Sequence, residues 1–121
     1  MQELLAALKE KGIRIGVGTD MTAAMQFEKI NKLDLLKYVD FMVSSEEAGA
    51  EKPDEQFFAL CLEKAGCAPE ECAFVGDHLK KDAEGAAACG MKGIWFCPDE
   101  EKQADTPVTR ITRMTEVLEY L

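Results

Sequence analysis

Asp77 and Asp82 lie close together in the stretch "FVGDHLKKDAEGAAACGM". An apolar run ends in Gly76-Asp77, and Asp82 follows just before an alanine-rich segment. The run reads as a strand and the segment as a helix, so the intervening turn can bring both carboxylates to one rim. Two carboxylates beside a phosphate site suit Mg²⁺, which takes a few carboxylates, several waters and a phosphate oxygen. Taken alone, Asp82 reads as a helix cap and Asp77 as a turn acid after glycine. Taken together, between an apolar strand and a small-residue helix, they favour metal binding.

Lys52 precedes Pro53, which suits the first position of a helix, and a residue before proline is held extended. A cation at the positive end of a helix dipole adds no stability, whereas Asp54 and Glu55 in the first turn do. Lys52 is therefore read as a cation directed at phosphate or at a nucleophilic carboxylate. Its plain alternative is a solvated lysine paired with Glu51 or Asp54. Thr19 ends another apolar run, where a hydroxyl and a backbone N–H can hold a phosphate oxygen or cap the next helix. Asp20 beside it adds negative charge, which is unusual for a phosphate-binding corner. His78, the sole histidine, falls in the turn between the two acids and reads as a loop residue.

These residues need elements that bring strand ends together. Leu4, Leu5 and Leu8 share a helical face, and Gly12 marks its stop. Ile13, Ile15 and Val17 alternate with glycines in "IRIGVGT", which suggests a strand covered on both faces. A helix is expected over Met21 to Asn31, and a short helix or turn in "LDLLKYVD". "FMVSS" (Phe41 to Ser45) is the next strand. A helix opening at Pro53 carries the stripe Phe57, Phe58, Cys61 and Leu62 and stops at Gly66. "CAFVG" is a third strand. A helix from Asp82 to Cys89 stops at Gly90, and "GIWF" is a fourth strand. Met91, Trp95 and Phe96 read as core or strand residues. "CPDEEKQADTPVT" reads as an exposed loop, and Met114, Val117, Leu118 and Leu121 as the face of a closing helix. Strands alternating with helices predict a doubly wound, Rossmann-like parallel α/β sheet, with ligands at the carboxyl ends of the strands. Those ends are Thr19-Asp20, Ser44-Ser45, Gly76-Asp77 and Phe96-Cys97.

The 121 residues are enough for one domain, expected over 1–121, and 47% hydrophobic with 31% charged residues is a globular composition. No run approaches the ~18 apolar residues of a membrane span, and "MQELLAALKEKG" lacks the pattern of a secretory signal. A net charge of -9 argues against nucleic acid and anionic lipid as partners. The five cysteines include no C-x-x-C pair, and reduced thiols in a cytoplasmic protein are expected.

Three stretches, "IGVGTD", "SSEEAGAEKPDEQFFALCLEKAG" and "FVGDHLKKDAEGAAACGMKGIWF", resemble motifs II, III and IV of the haloacid dehalogenase-like (HAD) hydrolase superfamily. The likeness runs from about Ile13 to Phe96 and is greatest to the phosphatase-like branch with a helical cap. The G-D-x-x-x-x-D pattern of Gly76, Asp77 and Asp82 and the E-K-P before an amphipathic helix carry most of it. The resemblance implies that Thr19 bonds the transferring phosphoryl group and that Lys52 balances charge on phosphate and nucleophile. It further implies that Asp77 and Asp82 hold Mg²⁺, and that a small phosphorylated molecule is hydrolysed through an aspartyl-phosphate intermediate.

Two departures qualify this. Asp20 stands where relatives commonly carry Asn. No Asp precedes Thr19 in "MQELLAALKEKGIRIGVG", so motif I with its nucleophilic Asp, and the cap that follows it, have no counterpart. The resemblance places the motif I strand between those ending at Thr19 and Asp77, which leaves an incomplete core of two strand pairs. The pairs are expected to close up, to pair with a second copy in a homodimer, or to be completed by an N-terminal segment. Hence the chain alone is expected to be inactive. A non-catalytic phosphate- and metal-binding or scaffold module is the alternative. A receiver-like signalling domain ranks lower, because the acidic pair after its first strand is missing.

Overall fold

The computed structural model describes residues 2–19, 36–99, 101–102 and 104–121. Asp20 and the helix expected over Met21 to Asn31 lie outside the described residues. The chain divides into two compact units, residues 1–66 and 67–121. No helix among the described residues is long and apolar enough to cross a membrane.

In the first unit, α1 (Gln2–Glu10) buries Leu4 and Leu8. Strand β1 (Gly16–Thr19) pairs in parallel with β2 (Phe41–Ser44), in a register that sets Thr19 beside Ser44. β1 starts later than the alternation of Ile13 and Ile15 suggests. The N–H of Ile15 is bound by the Asp40 carboxylate at 2.7 Å, and the Ile15 carbonyl accepts the Asp40 N–H at 2.7 Å. Lys9 closes the same corner with an ion pair to Asp40 at 2.6 Å. Its hydrogen bond is the main reason the Asp40 carboxyl is held below its ordinary value of 3.8. After β2, Ser44 caps the short α2 (Ser45–Ala48) by accepting the Glu47 N–H.

Helix α3 (Glu55–Ala65) packs Phe57, Phe58 and Cys61 against the sheet. It begins two residues after the Pro53 start the sequence suggests, because Asp54 is the cap: its carboxylate accepts the Gln56 N–H at 2.8 Å. The Lys52–Pro53 bond before it is cis. At its far end Gly66 adopts φ 71°, a conformation side chains disfavour, and its N–H returns to the Leu62 carbonyl. Lys64 ties the helix to β2 through the Met42 carbonyl (2.8 Å) and pairs with Glu47.

The second unit is a parallel sheet of order β3-β4-β5: Ala73–Gly76, Lys92–Phe96 and Thr109–Ile111. The central β4 buries Gly93, Ile94 and Trp95 in succession, as a strand covered on both faces must. β5 lies where the sequence suggests the end of a polar loop, and Ile111 is fully buried. The helix expected from Asp82 begins earlier, as a π-helical turn over Leu79–Glu84 that runs into α4 (Gly85–Ala88). The closing segment, Met114–Tyr120, is a 3₁₀ helix. Three residues per turn align Met114, Val117 and Tyr120, so Val117 is buried while Leu121 is 51% exposed. Cys67 and Cys72 form a disulfide across the turn at Pro69–Glu71, which corrects the expectation of five reduced thiols. Cys61, Cys89 and Cys97 are outside any disulfide.

Candidate functional site

The acid pair sits where β3 gives way to the π-helical turn. Gly76 is the last residue of β3, and Asp77 follows it, exposed. The chain turns at His78, whose Nδ1 accepts the Lys81 N–H at 3.2 Å, so the histidine taken for a loop residue is the cap of the π turn. The Asp82 N–H donates to the His78 carbonyl at 2.8 Å, and the Asp82 carboxylate accepts the His78 N–H at 3.1 Å. Asp82 thus lies inside the turn instead of capping a helix, and is only 4% exposed. A wider turn of this kind is frequent at functional sites.

Glycine makes this closure possible. A Cβ at Gly76 would lie 2.2 Å from Asp82 Oδ2 and 2.3 Å from its Cβ and Cγ. At Gly93, on the neighbouring strand, a Cβ would lie 2.0 Å from the Ala83 carbonyl oxygen. The π turn therefore lies directly on the backbone of β3 and β4. The space that Gly76 leaves open is filled by the Asp82 carboxylate, which faces the strand end that carries Asp77.

Two hard oxygen donors, one exposed and one buried and hydrogen-bonded, match the ligand chemistry of Mg²⁺, which completes its shell with waters and substrate oxygens. Among the described residues no group of three or more His, Cys, Asp or Glu side chains is gathered as for an all-protein cage. Beside Asp77 a cavity of about 190 Å³ opens between Lys80, Trp95 and Lys102.

The other predicted site residues lie in the first unit. Thr19 ends β1, as expected of a residue at a strand's carboxyl end, and Asp20 lies outside the described residues. Lys52 is half-buried before α3, with its ammonium 5.9 Å from the centre of the Phe57 ring. Asp77 and Asp82 bracket the passage from β3 into the π turn of the second unit.

Two residues at the site carried no sequence signal. Trp95 reads as core, and it is buried, but its indole N–H donates to the Asp77 carbonyl at 3.2 Å. Arg110 lies on the unpredicted strand β5, with its guanidinium 5.2 Å from the Trp95 ring. Neither the carbonyl partner nor the strand neighbour of either residue is legible in their types or spacing.

Residues 1–96 match the family described as haloacid dehalogenase-like hydrolase. The chain is 38% identical over 109 residues to a ribulose-1,5-bisphosphate 5-phosphatase of Halopiger xanaduensis, covering 90% of this chain and 46% of that protein. It is 34% identical over 123 residues to a glyceraldehyde 3-phosphate phosphatase of Methanopyrus kandleri, covering 97% of this chain and 53% of that one. The crystal structure of a HAD phosphatase from Thermococcus onnurineus superposes with a TM-score of 0.90 at 25% identity, over 98% of this chain and 54% of that chain. The chain spans about half the length of the curated relatives it matches.

Proposed function

The chain belongs to the haloacid dehalogenase-like hydrolase family, and from that premise we propose that it is the C-terminal core portion of a Mg²⁺-dependent phosphatase acting on a small phosphate monoester. The observation that carries this reading is the closed turn at Gly76–Asp82, which sets a buried carboxylate against the strand end bearing Asp77. The named phosphatases among its relatives support a small phosphorylated, sugar-like substrate.

In this reading Asp77 and Asp82 hold Mg²⁺, directly or through water. Held there, the cation would neutralise phosphate charge in the transition state. Thr19 hydrogen-bonds the transferring phosphoryl group, with Asp20 beside it. Lys52 offsets charge on phosphate and nucleophile. The nucleophile is an aspartate supplied from outside these 121 residues. Its carboxylate attacks phosphorus, the ester P–O bond breaks and the alcohol leaves; water then releases phosphate from the aspartyl phosphate. The same N-terminal segment, or a second copy of the chain, would supply a sheet partner. The proposed location is the cytoplasm.

The test is turnover of p-nitrophenyl phosphate with Mg²⁺. These 121 residues alone are expected to give none, and addition of an N-terminal polypeptide carrying D-x-D-G-T is expected to restore it. Robust Mg²⁺-dependent turnover by the chain alone would remove the external nucleophile from the account. Calorimetry decides the alternative: Mg²⁺ binding abolished by Asp77→Ala supports a retained site, and no binding by the unaltered chain supports a non-catalytic scaffold.

A further inference from the structure

The sheet register of the second unit places Gly76 opposite Trp95, and Trp95 opposite Arg110. The three residues form one row across β3, β4 and β5. Cross-strand neighbours project to the same face, so the row stacks the guanidinium of Arg110 on the indole of Trp95 at 5.2 Å. The indole is 2% exposed, and a buried indole N–H needs an acceptor. It takes the carbonyl of Asp77, one residue beyond the row.

Arg110 is itself held on its far side. Its donors reach the carbonyls of Lys102 at 2.7 Å, Asp99 at 2.5 Å and Cys97 at 3.3 Å. A planar fork can satisfy three carbonyls and stack on a ring at once; a lysine cannot. The guanidinium thus joins the folded segment after β4 to the ring that holds Asp77.

We infer that Trp95 and Arg110 are positioning residues for Asp77: Arg110 fixes the indole plane, and the indole N–H fixes the backbone from which the Asp77 carboxylate projects. This rests on the reading of Asp77 as a Mg²⁺ ligand. Groups that orient a ligand from behind typically matter by ~10- to 100-fold in metal affinity.

The experiment uses the 121-residue chain and nuclear magnetic resonance. One tryptophan gives one indole N–H signal. Arg110→Met is expected to speed exchange of that proton about tenfold and to shift the amides of Asp77 and His78. Unmoved signals would overturn the relay whether or not metal binds. In a Mg²⁺ titration of the same signals, Trp95→Phe keeps the buried ring and loses the donor, and is expected to weaken affinity about tenfold. Arg110→Lys should fall between the unaltered chain and Arg110→Met. Equal affinity in Trp95→Phe and the unaltered chain would overturn the inference alone. An unaltered chain whose Asp77 amide ignores Mg²⁺ would overturn the metal reading and the positioning role together.

Discussion

The two units hold their helices against their sheets by opposite means. In residues 1–66 the contact is made by bulk: Phe57 and Phe58, both fully buried with rings edge to face at 5.6 Å, on the helix, and buried Val43 on β2. In residues 67–121 it is made by lack of bulk, with Gly76, Gly93, Ala83 and Ala86 letting the π turn and α4 rest on strand backbone. The first arrangement is sensitive to atoms removed and the second to atoms added. The second is also the one that carries the acid pair, since Gly76 leaves open the space at the end of β3 that the Asp82 side chain occupies.

Phe57→Ala is the most damaging of the substitutions. It empties a fully buried ring site and is expected to cost about 4 kcal/mol, read as a lowered urea midpoint. Gly93→Ala is the counterpart in the second unit. Its methyl group meets backbone that has no rotamer to change, so about 3 kcal/mol is expected in the same measurement. Gly16→Ala sharpens the contrast. There the new Cβ would lie 2.1 Å from the Phe41 ring, a half-exposed side chain that can swing aside, so about 1 kcal/mol is expected. A Gly16 variant as damaged as the Gly93 variant would erase the distinction between the units.

The smallest effects concern charge. Asp40 has a lowered folded-state value, so its contribution is present above its ordinary 3.8 and fades as pH falls through that value and the lower folded one. Asp40→Asn should cost under about 1 kcal/mol at neutral pH, the range of exposed pairs, and flatten the acid limb of the melting curve. Burial pushes the Cys61 thiol up to about 11, against the nearby Lys52 and Lys64 charges. Its contribution is full below 9.0 and is lost as pH rises through about 11. Iodoacetamide at pH 8 should therefore modify half-buried Cys89 well before Cys61, with labelling sites read by mass spectrometry.

Of the five strands among the described residues four were legible, because each ends an apolar run at a turn residue; the ends at Thr19, Gly76 and Phe96 are the expected ones, and β2 stops at Ser44, one residue before the expected Ser45. β5 was not, since "TRI" offers one apolar residue and its identity as a strand depends on β4 alongside it. The start of α3 shifted because an aspartate cap outcompetes proline as a boundary. Asp77 and Asp82 were visible as acids at a spacing. The burial of Asp82 depends on what Gly76 lacks, and pairing of Cys67 with Cys72 depends on a turn that brings their Cα atoms to 7.0 Å. Pattern reading finds residues that choose their own local structure; it misses those whose role is set by a strand neighbour.

The row that ends at Arg110 has one more consequence. The chain's single fluorophore of its kind is shielded from solvent and bonded to the residue proposed to meet the cation. Indole emission responds to its hydrogen bonding and to a charge held above the ring. Ion uptake should therefore register as a change in ultraviolet-excited emission, with no label attached and no background from a second indole.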